Sequence, residues 1–289
     1  MALKMWKINN NAVKCIVIIF VYVLFIEAGV RDPFPIGAAM MPQGALVETQ
    51  GALGREPWSP AAIYRDTLPW GAAFSAVSYH GADGAGGVSQ YAAGGFASFG
   101  AVICKMSLTG LDAMGVYYEQ TAYFSAGGIY KFMSLSAEAK SHRIGLKVGS
   151  SDVRSMTSLG STIHADFRRI SATVMAEGLT VSSSGSPDVD PPFYFSGRIC
   201  TVRNRYGSQG VMVKMTPVND KPLRFIVAQE YRLSSNFAIG ASLGSNPTMI
   251  GFGILVDKHP VSSGAAVVNH PLLGWSKGFY ADYAGRKRR

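Results

Sequence analysis

The sequence carries little charge. Asp, Glu, Lys and Arg make up 16% of its 289 residues, well below the roughly 25% that is usual for soluble domains. The 27 Lys and Arg residues are scattered, apart from a basic run at 286–289, so there is no basic stripe for nucleic acid. The 48% hydrophobic content excludes a disordered chain, and the 33 glycines exclude a helical bundle.

Cysteine is also scarce, with three in the whole chain. Cys15 lies in the N-terminal apolar run, which leaves Cys104 and Cys200 in the body of the chain. These two could form a disulfide in an oxidising compartment, or each could be buried separately as an apolar strand residue. One pair is in any case not a disulfide framework for a chain of this length.

Long apolar runs are absent except near the N-terminus. Three lysines precede an apolar run at 15–26, and Glu27, Ala28 and Gly29 follow it. At ~1.5 Å per residue this run reaches only ~18 Å, short of a hydrocarbon core of ~30 Å. The layout predicts a secretory signal peptide over 1–29 with cleavage near Ala28, rather than a membrane anchor.

The body of the chain alternates apolar and polar residues with period 2, which is typical of strands with one wet face. Leu223, Phe225 and Val227 lie on one face of such a run, and Arg224 and Glu230 on the other. Glycine-rich turns separate about a dozen runs, among them 95–104, 111–124 and 129–137. We therefore predict an all-β fold: an antiparallel transmembrane β-barrel of about 12–14 strands over 65–283, with a basic tail at 284–289.

Two architectures fit this alternation, a lipid-facing barrel wall and the inner face of a secreted β-sandwich that binds a partner. The export signal, the low charge and the aromatics at the ends of runs favour the barrel. These aromatics are Tyr79, Phe124, Tyr231, Trp275 and Tyr283. Outer-membrane lipid is then the first partner expected.

The barrel interpretation assigns several charged residues to the interior. If they point inward, they either attract anions or neutralise nearby carboxylates, and we favour the second role. The alternation of apolar and polar residues also shifts by one position at Arg168-Arg169, as one extra residue in a β-bulge would cause. The predicted lumen-facing residues are Arg143, Lys147, Arg168, Arg224, Glu230 and Arg232.

No catalytic, metal or cofactor site is specified. Gly240-Ala-Ser-Leu-Gly244 matches the nucleophile elbow of α/β-hydrolases, with Asp257 and His270 following in the hydrolase order. That elbow requires a strand turning into a helix, whereas a turn and another strand follow here. The histidines lack metal-ligand spacing. We therefore expect a non-enzyme without metal or cofactor.

Two stretches carry a family resemblance. The first is the Gly-Ala-rich segment at 36–44 followed by a Ser-Pro-Ala-Ala sequence. It resembles the PorV/PorQ and FadL-like outer-membrane barrels, which have Asn-Pro-Ala-Gly or Asn-Pro-Ala-Ala before the first long strands. Ser59 stands in place of the usual Asn. The residues of this motif are Gly37, Gly44, Trp58, Ser59, Pro60, Ala61 and Ala62.

The second stretch is the C-terminal sequence, which resembles the final His-Pro-x-Leu-Gly strand of the same proteins. Lys277 stands where a His is common, and the basic tail follows where members end on an aromatic residue. The stretch is also similar to the signal read by the barrel-assembly machinery. The residues of this motif are His270, Pro271, Leu273, Gly274, Gly278 and Tyr283.

The resemblance implies a bacterial outer-membrane protein in which 30–64 forms a plug or periplasmic segment. It implies one of two roles: transport of hydrophobic small molecules, or a scaffold role in type IX secretion. The corresponding partners are a hydrophobic ligand or secretion-system proteins.

Overall fold

The part of the chain that the computed structural model describes is all-β. The structure describes residues 70–79, 88–99, 102–113, 117–130, 132–146, 153–167, 170–185, 193–201, 206–215, 223–245, 248–258, 260–270 and 274–284. The predicted signal peptide, the plug segment and most of the basic tail lie outside these residues. No helix in the described part of the chain is long and apolar enough to cross a membrane.

Fourteen strands are present in the described residues. They are β1 (Trp70–Tyr79), β2 (Val88–Phe99), β3 (Val102–Ala113), β4 (Tyr117–Tyr130), β5 (Met133–Leu146), β6 (Val153–Asp166), β7 (Ile170–Ser184), β8 (Tyr194–Thr201), β9 (Gly207–Met215), β10 (Arg224–Arg232), β11 (Phe237–Gly244), β12 (Met249–Lys258), β13 (Val261–His270) and β14 (Gly274–Ala284).

The strands form one closed antiparallel barrel, in which each strand pairs with its neighbours in sequence and β1 pairs with β14. The prediction of an all-β barrel of 12–14 strands is thus confirmed, with fourteen. A sandwich would consist of two separate sheets with free edges, whereas this sheet closes on itself. Closure leaves no strand edge unpaired.

The apolar runs in the sequence proved to be poor guides to individual strands. The runs 95–104, 111–124 and 129–137 each span the connection between two strands. Those connections include Gly100-Ala101 and Phe132, which carry no cluster of polar turn residues. Likewise, the phase break at Arg168-Arg169 is the connection between β6 and β7, not a bulge, and Phe167 N donates to Ile170 O across it at 2.8 Å.

The two ends of the barrel differ in the length of their connections. The longest, 80–87, 185–193 and 216–223, lie at one end, which we call the long-loop end. The shortest, 100–101, 131–132 and 259–260, lie at the other, the short-turn end, where β1 begins and β14 ends. Outer-membrane barrels have short periplasmic turns and longer extracellular loops.

The outward face of the barrel is apolar. On β12, for example, Ile250, Phe252, Ile254 and Val256 are all exposed, while the alternate residues point inward. A soluble protein seldom exposes so continuous an apolar band. The band matches the hydrocarbon layer around a membrane-spanning barrel.

Aromatic side chains circle the short-turn end. Trp70 and Tyr283 pair at a centroid distance of 5.2 Å, and Phe132 and Phe167 at 5.9 Å. Tyr231, Trp275 and Tyr283 lie near strand ends as predicted, whereas Phe124 is in the middle of β4. The exposed aromatics of this ring are Trp70, Phe99, Phe132, Phe167, Tyr206, Tyr231 and Tyr283.

Candidate functional site

The interior of the barrel is lined by two chemically different walls. β6 and β13 lie halfway round the ring from each other, so the strands that flank them form opposite sides. Because alternate residues of each strand point inward, the composition of these positions decides the character of each side. We call the inward-facing residues of β3–β8 the polar wall.

The apolar wall lies opposite. It is a contiguous cluster of buried side chains from β1 and β11–β14. Small residues separate its larger members; Gly264, for instance, lies under the ring of Tyr280, where an added Cβ would come within 2.5 Å of the ring. The members of the apolar wall are Val77, Ala238, Met249, Leu255, Ala266, Val268 and Tyr280.

Two buried glutamates form the centre of the polar wall. Thr162 Oγ1 donates to Glu138 Oε1 at 2.8 Å, and Lys140 Nζ donates to Glu177 Oε1 at 2.5 Å. Glu138 is 3% exposed and Glu177 is 1% exposed. Glu138 also interacts electrostatically with Glu177 and Lys140. We call Glu138, Lys140, Gly160, Thr162 and Glu177 the carboxylate niche.

A bulge in β7 shapes the niche. The register between β6 and β7 shifts between Thr157 and Ser158 and again across Gly160, between Leu159 and Ser161. Gly178 has a φ of 85°, in the left-handed region that favours glycine. Glu138 is level with Gly160 on β6. A Cβ at position 160 would come within 2.8 Å of Ala176 O and 3.5 Å of Glu138 Oε2. The two glycines thus allow Glu177 to approach Glu138 across β6.

Further side-chain hydrogen bonds extend the polar wall toward both ends. Toward the long-loop end, His142 contacts Thr121 Oγ1 through Nδ1 at 3.0 Å and Ser158 Oγ through Nε2 at 2.9 Å. The side-chain hydrogen bonds of the polar wall therefore continue beyond the niche toward the long-loop end.

Toward the short-turn end, Thr173 Oγ1 contacts His164 Nδ1 at 2.8 Å and accepts from an Arg198 guanidinium nitrogen at 3.0 Å. Ser171 Oγ and Cys200 Sγ lie 3.0 Å apart. Hydrogen-bonding side chains therefore follow one another along most of the height of this wall.

Two lysines contact one tyrosine ring in the polar wall. Lys105 Nζ is 5.5 Å and Lys140 Nζ 5.4 Å from the ring centroid of Tyr123. Both distances lie within the range of cation–π attraction, so the ring contributes to the stabilisation of these inward charges.

Among the predicted lumen-facing residues, Glu230 is buried on the inner face of β10, and Arg232 shares that face. Arg232 donates to Ser235 O at 2.5 Å. The backbone of Arg224 is on the same face by alternation, but its side chain is not described. Lys147 and Arg168 lie outside the described residues.

The interior assignment of Arg143 differs from the structure, in which Arg143 is exposed and Ile144 is buried. Arg143 pairs with Gln120 and Ser155, which are exposed as well. The outward face of β4–β6 is thus polar near the long-loop end. At this level the apolar residue is on the inward face, whereas within the apolar band the apolar residues are on the outward face.

Charges inside the barrel are balanced among the described side chains. Five inward cations and five inward carboxylates are present in that part of the chain. The cations are Lys105, Lys140, Arg154, Arg198 and Arg232, and the carboxylates are Glu119, Glu138, Glu177, Glu230 and Asp257. The described interior thus has equal formal numbers of both signs, and the neutralising role stays a prediction.

The C-terminal motif connects two strands rather than forming one. His270 ends β13 and Gly274 begins β14, while Pro271 and Leu273 lie between the described residues. Gly278 is level with Val77 and Ala266, and Tyr283 closes the barrel beside Ala72 of β1. All residues of the N-terminal motif, Gly37 to Ala62, lie outside the described part of the chain.

The hydrolase-like motif is a plain strand. Gly240, Ser242 and Gly244 point inward from β11, which pairs with β12 through all of the motif. Asp257 instead accepts from Ser262 Oγ at 3.3 Å near the short-turn end. Among the described residues, no group of three His, Cys, Asp or Glu side chains could hold a metal ion.

The two cysteines in the described part of the chain form no disulfide. Cys104 is on β3 and Cys200 is buried on β8, five strands further along. The disulfide interpretation is therefore wrong, and the expected burial is confirmed for Cys200, whereas Cys104 is only half-buried.

Two solved structures with a similar fold are a hydrocarbon channel and a toluene transporter. The CymD monoaromatic hydrocarbon channel matches with a TM-score of 0.67 at 9% identity, over 90% of this chain and 100% of that chain. The Pseudomonas putida toluene transporter TodX matches with a TM-score of 0.58 at 8% identity, over 89% of this chain and 98% of that chain. No protein-family model and no curated protein matches the sequence.

Proposed function

We propose that this chain is an outer-membrane channel that carries small hydrophobic molecules through its barrel. The observation that carries the proposal is the apolar wall, a continuous set of buried apolar side chains on the inner face of a closed fourteen-strand barrel. An interior that served only ions and sugars would be polar all round. Apolar solutes gain free energy roughly in proportion to the apolar area they bury against such a wall.

The comparisons support the same conclusion through the fold. The two structures described above are a monoaromatic hydrocarbon channel and a toluene transporter, and both align over nearly their whole length. Placement in the bacterial outer membrane, export by the predicted signal peptide and insertion by the barrel-assembly machinery belong to the proposal. The type IX scaffold role stays an expectation from the sequence resemblance, without a structural feature that favours it over transport.

Toluene uptake tests the proposal. Cells of a Gram-negative host that lacks its own hydrocarbon channel would express the full chain, and the initial rate of uptake of labelled toluene would be measured. We expect faster uptake than in cells with the empty vector, and no comparable gain for a sugar of similar size. A boiling-dependent shift in gel migration would show that the barrel is folded in the outer-membrane fraction.

Two adjacent alanines on β13 provide a matched pair of variants. Ala266 points inward in the apolar wall and Ala265 points outward to lipid. Ala266→Trp should abolish the gain in toluene uptake because it fills the apolar side of the interior, and Ala265→Trp should retain the gain. If cells with a folded barrel take up toluene no faster than cells with the empty vector, transport is refuted and the scaffold role is the remaining candidate.

A further inference from the structure

We infer that the outward face of β5 and its neighbours binds one phosphate-bearing lipid, with the phosphate at Arg143 and an acyl chain along a furrow that begins beside it. The lipid belongs to the leaflet at the long-loop end. The inference rests on the placement of the barrel in a bilayer, which is part of the proposed function, but it does not depend on hydrocarbon transport.

The furrow is a line of small outward residues on β5. Its floor consists of Ala137, Ala139 and Ser141. Phe124 of β4 and Leu159 of β6 lie level with Ala139 on its two sides, and they are 47% and 43% exposed. Because bulky side chains border the small ones on both sides, the outward face has a depression that follows the strand. Arg143 is the next outward residue after the furrow, toward the long-loop end.

Toward the short-turn end the furrow opens into a groove with a volume of ≈ 410 Å³. Ala126, Ala137 and Ser161 lie level with one another on β4, β5 and β6 and line the groove. The exposed side chains of Val102 and Leu135 border it. An unfilled depression lacks van der Waals contacts on one side. An acyl chain of the surrounding bilayer supplies them when it lies in the groove.

Arg143 is placed to bind the phosphate of such a lipid. It is exposed, and Gln120 and Ser155 lie level with it on the neighbouring strands. A guanidinium binds two phosphate oxygens at once, and amide and hydroxyl groups beside it can donate further hydrogen bonds. Among the described outward residues of β3–β7 toward this end, the only other charged one is Asp112, which β4 separates from Arg143.

The spacing of the arginine and the groove matches one lipid leaflet. Arg143 is six positions from Ala137 along β5, which is ~20 Å at ~3.3 Å per residue. A strand tilted by ~45° covers ~14 Å of depth over that length, and one leaflet contributes ~15 Å to a hydrocarbon core of ~30 Å. A phosphate bound at Arg143 therefore places the end of an acyl chain at the groove.

The opposite side of the barrel separates the two features. Lys277 of β14 is an exposed outward cation toward the long-loop end, but the next outward residue on its strand is the bulky Phe279. Ala265 of β13 lies between Ile254 and Phe279, but the outward face of β13 carries no charged residue. These two positions provide matched controls for the cation and for the furrow.

Native mass spectrometry of the purified, delipidated full chain in detergent tests this inference and also reports its oligomeric state. Dioleoyl phosphatidic acid is the probe, and dioleoylglycerol is its counterpart without the phosphate. We expect saturable binding of one phosphatidic acid, and binding of dioleoylglycerol that is weaker by roughly tenfold or more, as loss of charge-assisted hydrogen bonds predicts. Inorganic phosphate at the same concentration should not displace the lipid, because it has no acyl chain for the furrow.

Two pairs of variants locate the lipid. Arg143→Gln should weaken phosphatidic acid binding by roughly tenfold or more, whereas Lys277→Gln removes another outward cation and should leave the affinity unchanged. Ala139→Phe fills the furrow and should weaken binding severalfold, whereas Ala265→Phe adds the same ring to the outward face of β13 and should not. A boiling-dependent gel shift would verify that each variant folds.

Equal affinity for the two lipids, displacement by inorganic phosphate, or a folded Arg143→Gln variant that binds no more weakly than Lys277→Gln would each overturn the inference. A wild-type dimer that Ala139→Phe converts to a monomer would overturn it as well, because the furrow would then be a contact between copies of the chain. The lipid comparison and the phosphate displacement use only the wild type, so they stand even where a variant fails to fold. Failure of toluene uptake would leave this titration unaffected.

Discussion

The two walls of the barrel interior are built on the same backbone pattern but are stabilised differently. Strand hydrogen bonds occupy the backbone of both walls, so the difference lies in the inward side chains. The polar wall holds buried groups in pairs such as Thr162–Glu138 and Lys140–Glu177. The apolar wall packs Leu255 and its neighbours against one another as a cluster of buried, mainly apolar side chains. One fold thus provides two interior environments, and a substitution should have different effects in each.

The largest difference is expected from a buried cation. Leu255→Lys places an ammonium among apolar side chains and should lower the free energy of unfolding by about 3–5 kcal/mol, as for an uncompensated buried charge. Met175→Lys, equally buried but two residues from Glu177, should cost clearly less. Urea unfolding from lipid vesicles measures both. Equal costs would mean that the two walls do not differ electrostatically.

A charge on the outward face should not distinguish the two sides. Ile163 on β6 and Ile254 on β12 are exposed to similar extents, 48% and 46%. Ile163→Arg and Ile254→Arg should each cost about 2–4 kcal/mol if both lie near the bilayer midplane. The same unfolding experiment applies. A cost at one position only would show that the apolar band is not level around the barrel.

Removal of one hydrogen-bond donor should affect the polar wall alone. Thr162→Val leaves Glu138 Oε1 without its donor and should cost about 1–3 kcal/mol, as for a buried acceptor left unsatisfied. Ala266→Val on the apolar wall is the comparison, because it changes the volume of a buried side chain without removing a hydrogen bond. Replacement of Glu138 by Gln in the Thr162→Val background should recover part of the loss, because the neutral amide is less costly to bury.

Excess volume should affect the apolar wall. Gly264→Ala brings a methyl group within 2.5 Å of the Tyr280 ring and 2.7 Å of Ile254 O. Overpacking of this kind typically costs about 1–3 kcal/mol. Gly264→Ala combined with Tyr280→Leu should cost less than the sum of the two single changes. Strict additivity would contradict the contact between ring and glycine.

The smallest effect is expected at the aromatic ring of the short-turn end, which belongs to neither wall. Trp70→Leu removes the pairing with Tyr283 across the β1–β14 closure, which is worth about 0.5–1.5 kcal/mol beyond buried area. Boiling-dependent gel shifts over a temperature series would detect the earlier opening. Unfolding that is unchanged would mean that the ring contributes only to membrane positioning.

The sequence predicted the alternation correctly where the chain crosses the apolar band. On β10, Val227 faces outward and Glu230 inward, as the period-2 pattern indicated. The pattern was wrong for Arg143 and Ile144. These residues lie beyond the apolar band, toward the long-loop end, where the outward face is polar and the apolar residue, Ile144, is the buried one. Alternation gives two faces, but only the surroundings identify which face is inside.

Strand boundaries were harder to predict than strand faces. The connections at 100–101 and 131–132 contain few of the polar residues that usually mark a turn. The apolar runs taken from the sequence therefore extended across these connections. The bulge in β7 was missed because Gly178 looks like any glycine in a strand. The sequence does contain the Glu-Gly pair at 177–178 that forms the bulge. That pair indicates a bulge only once β7 is known to lie beside Gly160 of β6.

The sequence by itself determined that the protein is all-β, that its strands alternate, and that it carries apolar residues in excess of what a soluble surface tolerates. These properties are local, since each depends on residue type and spacing along a few positions. The tertiary structure decided the number of strands, the closure of β1 on β14 and the register that brings Glu138 and Glu177 together across β6. Register is a property of pairs of strands, and the opposition of two walls is a property of the closed ring.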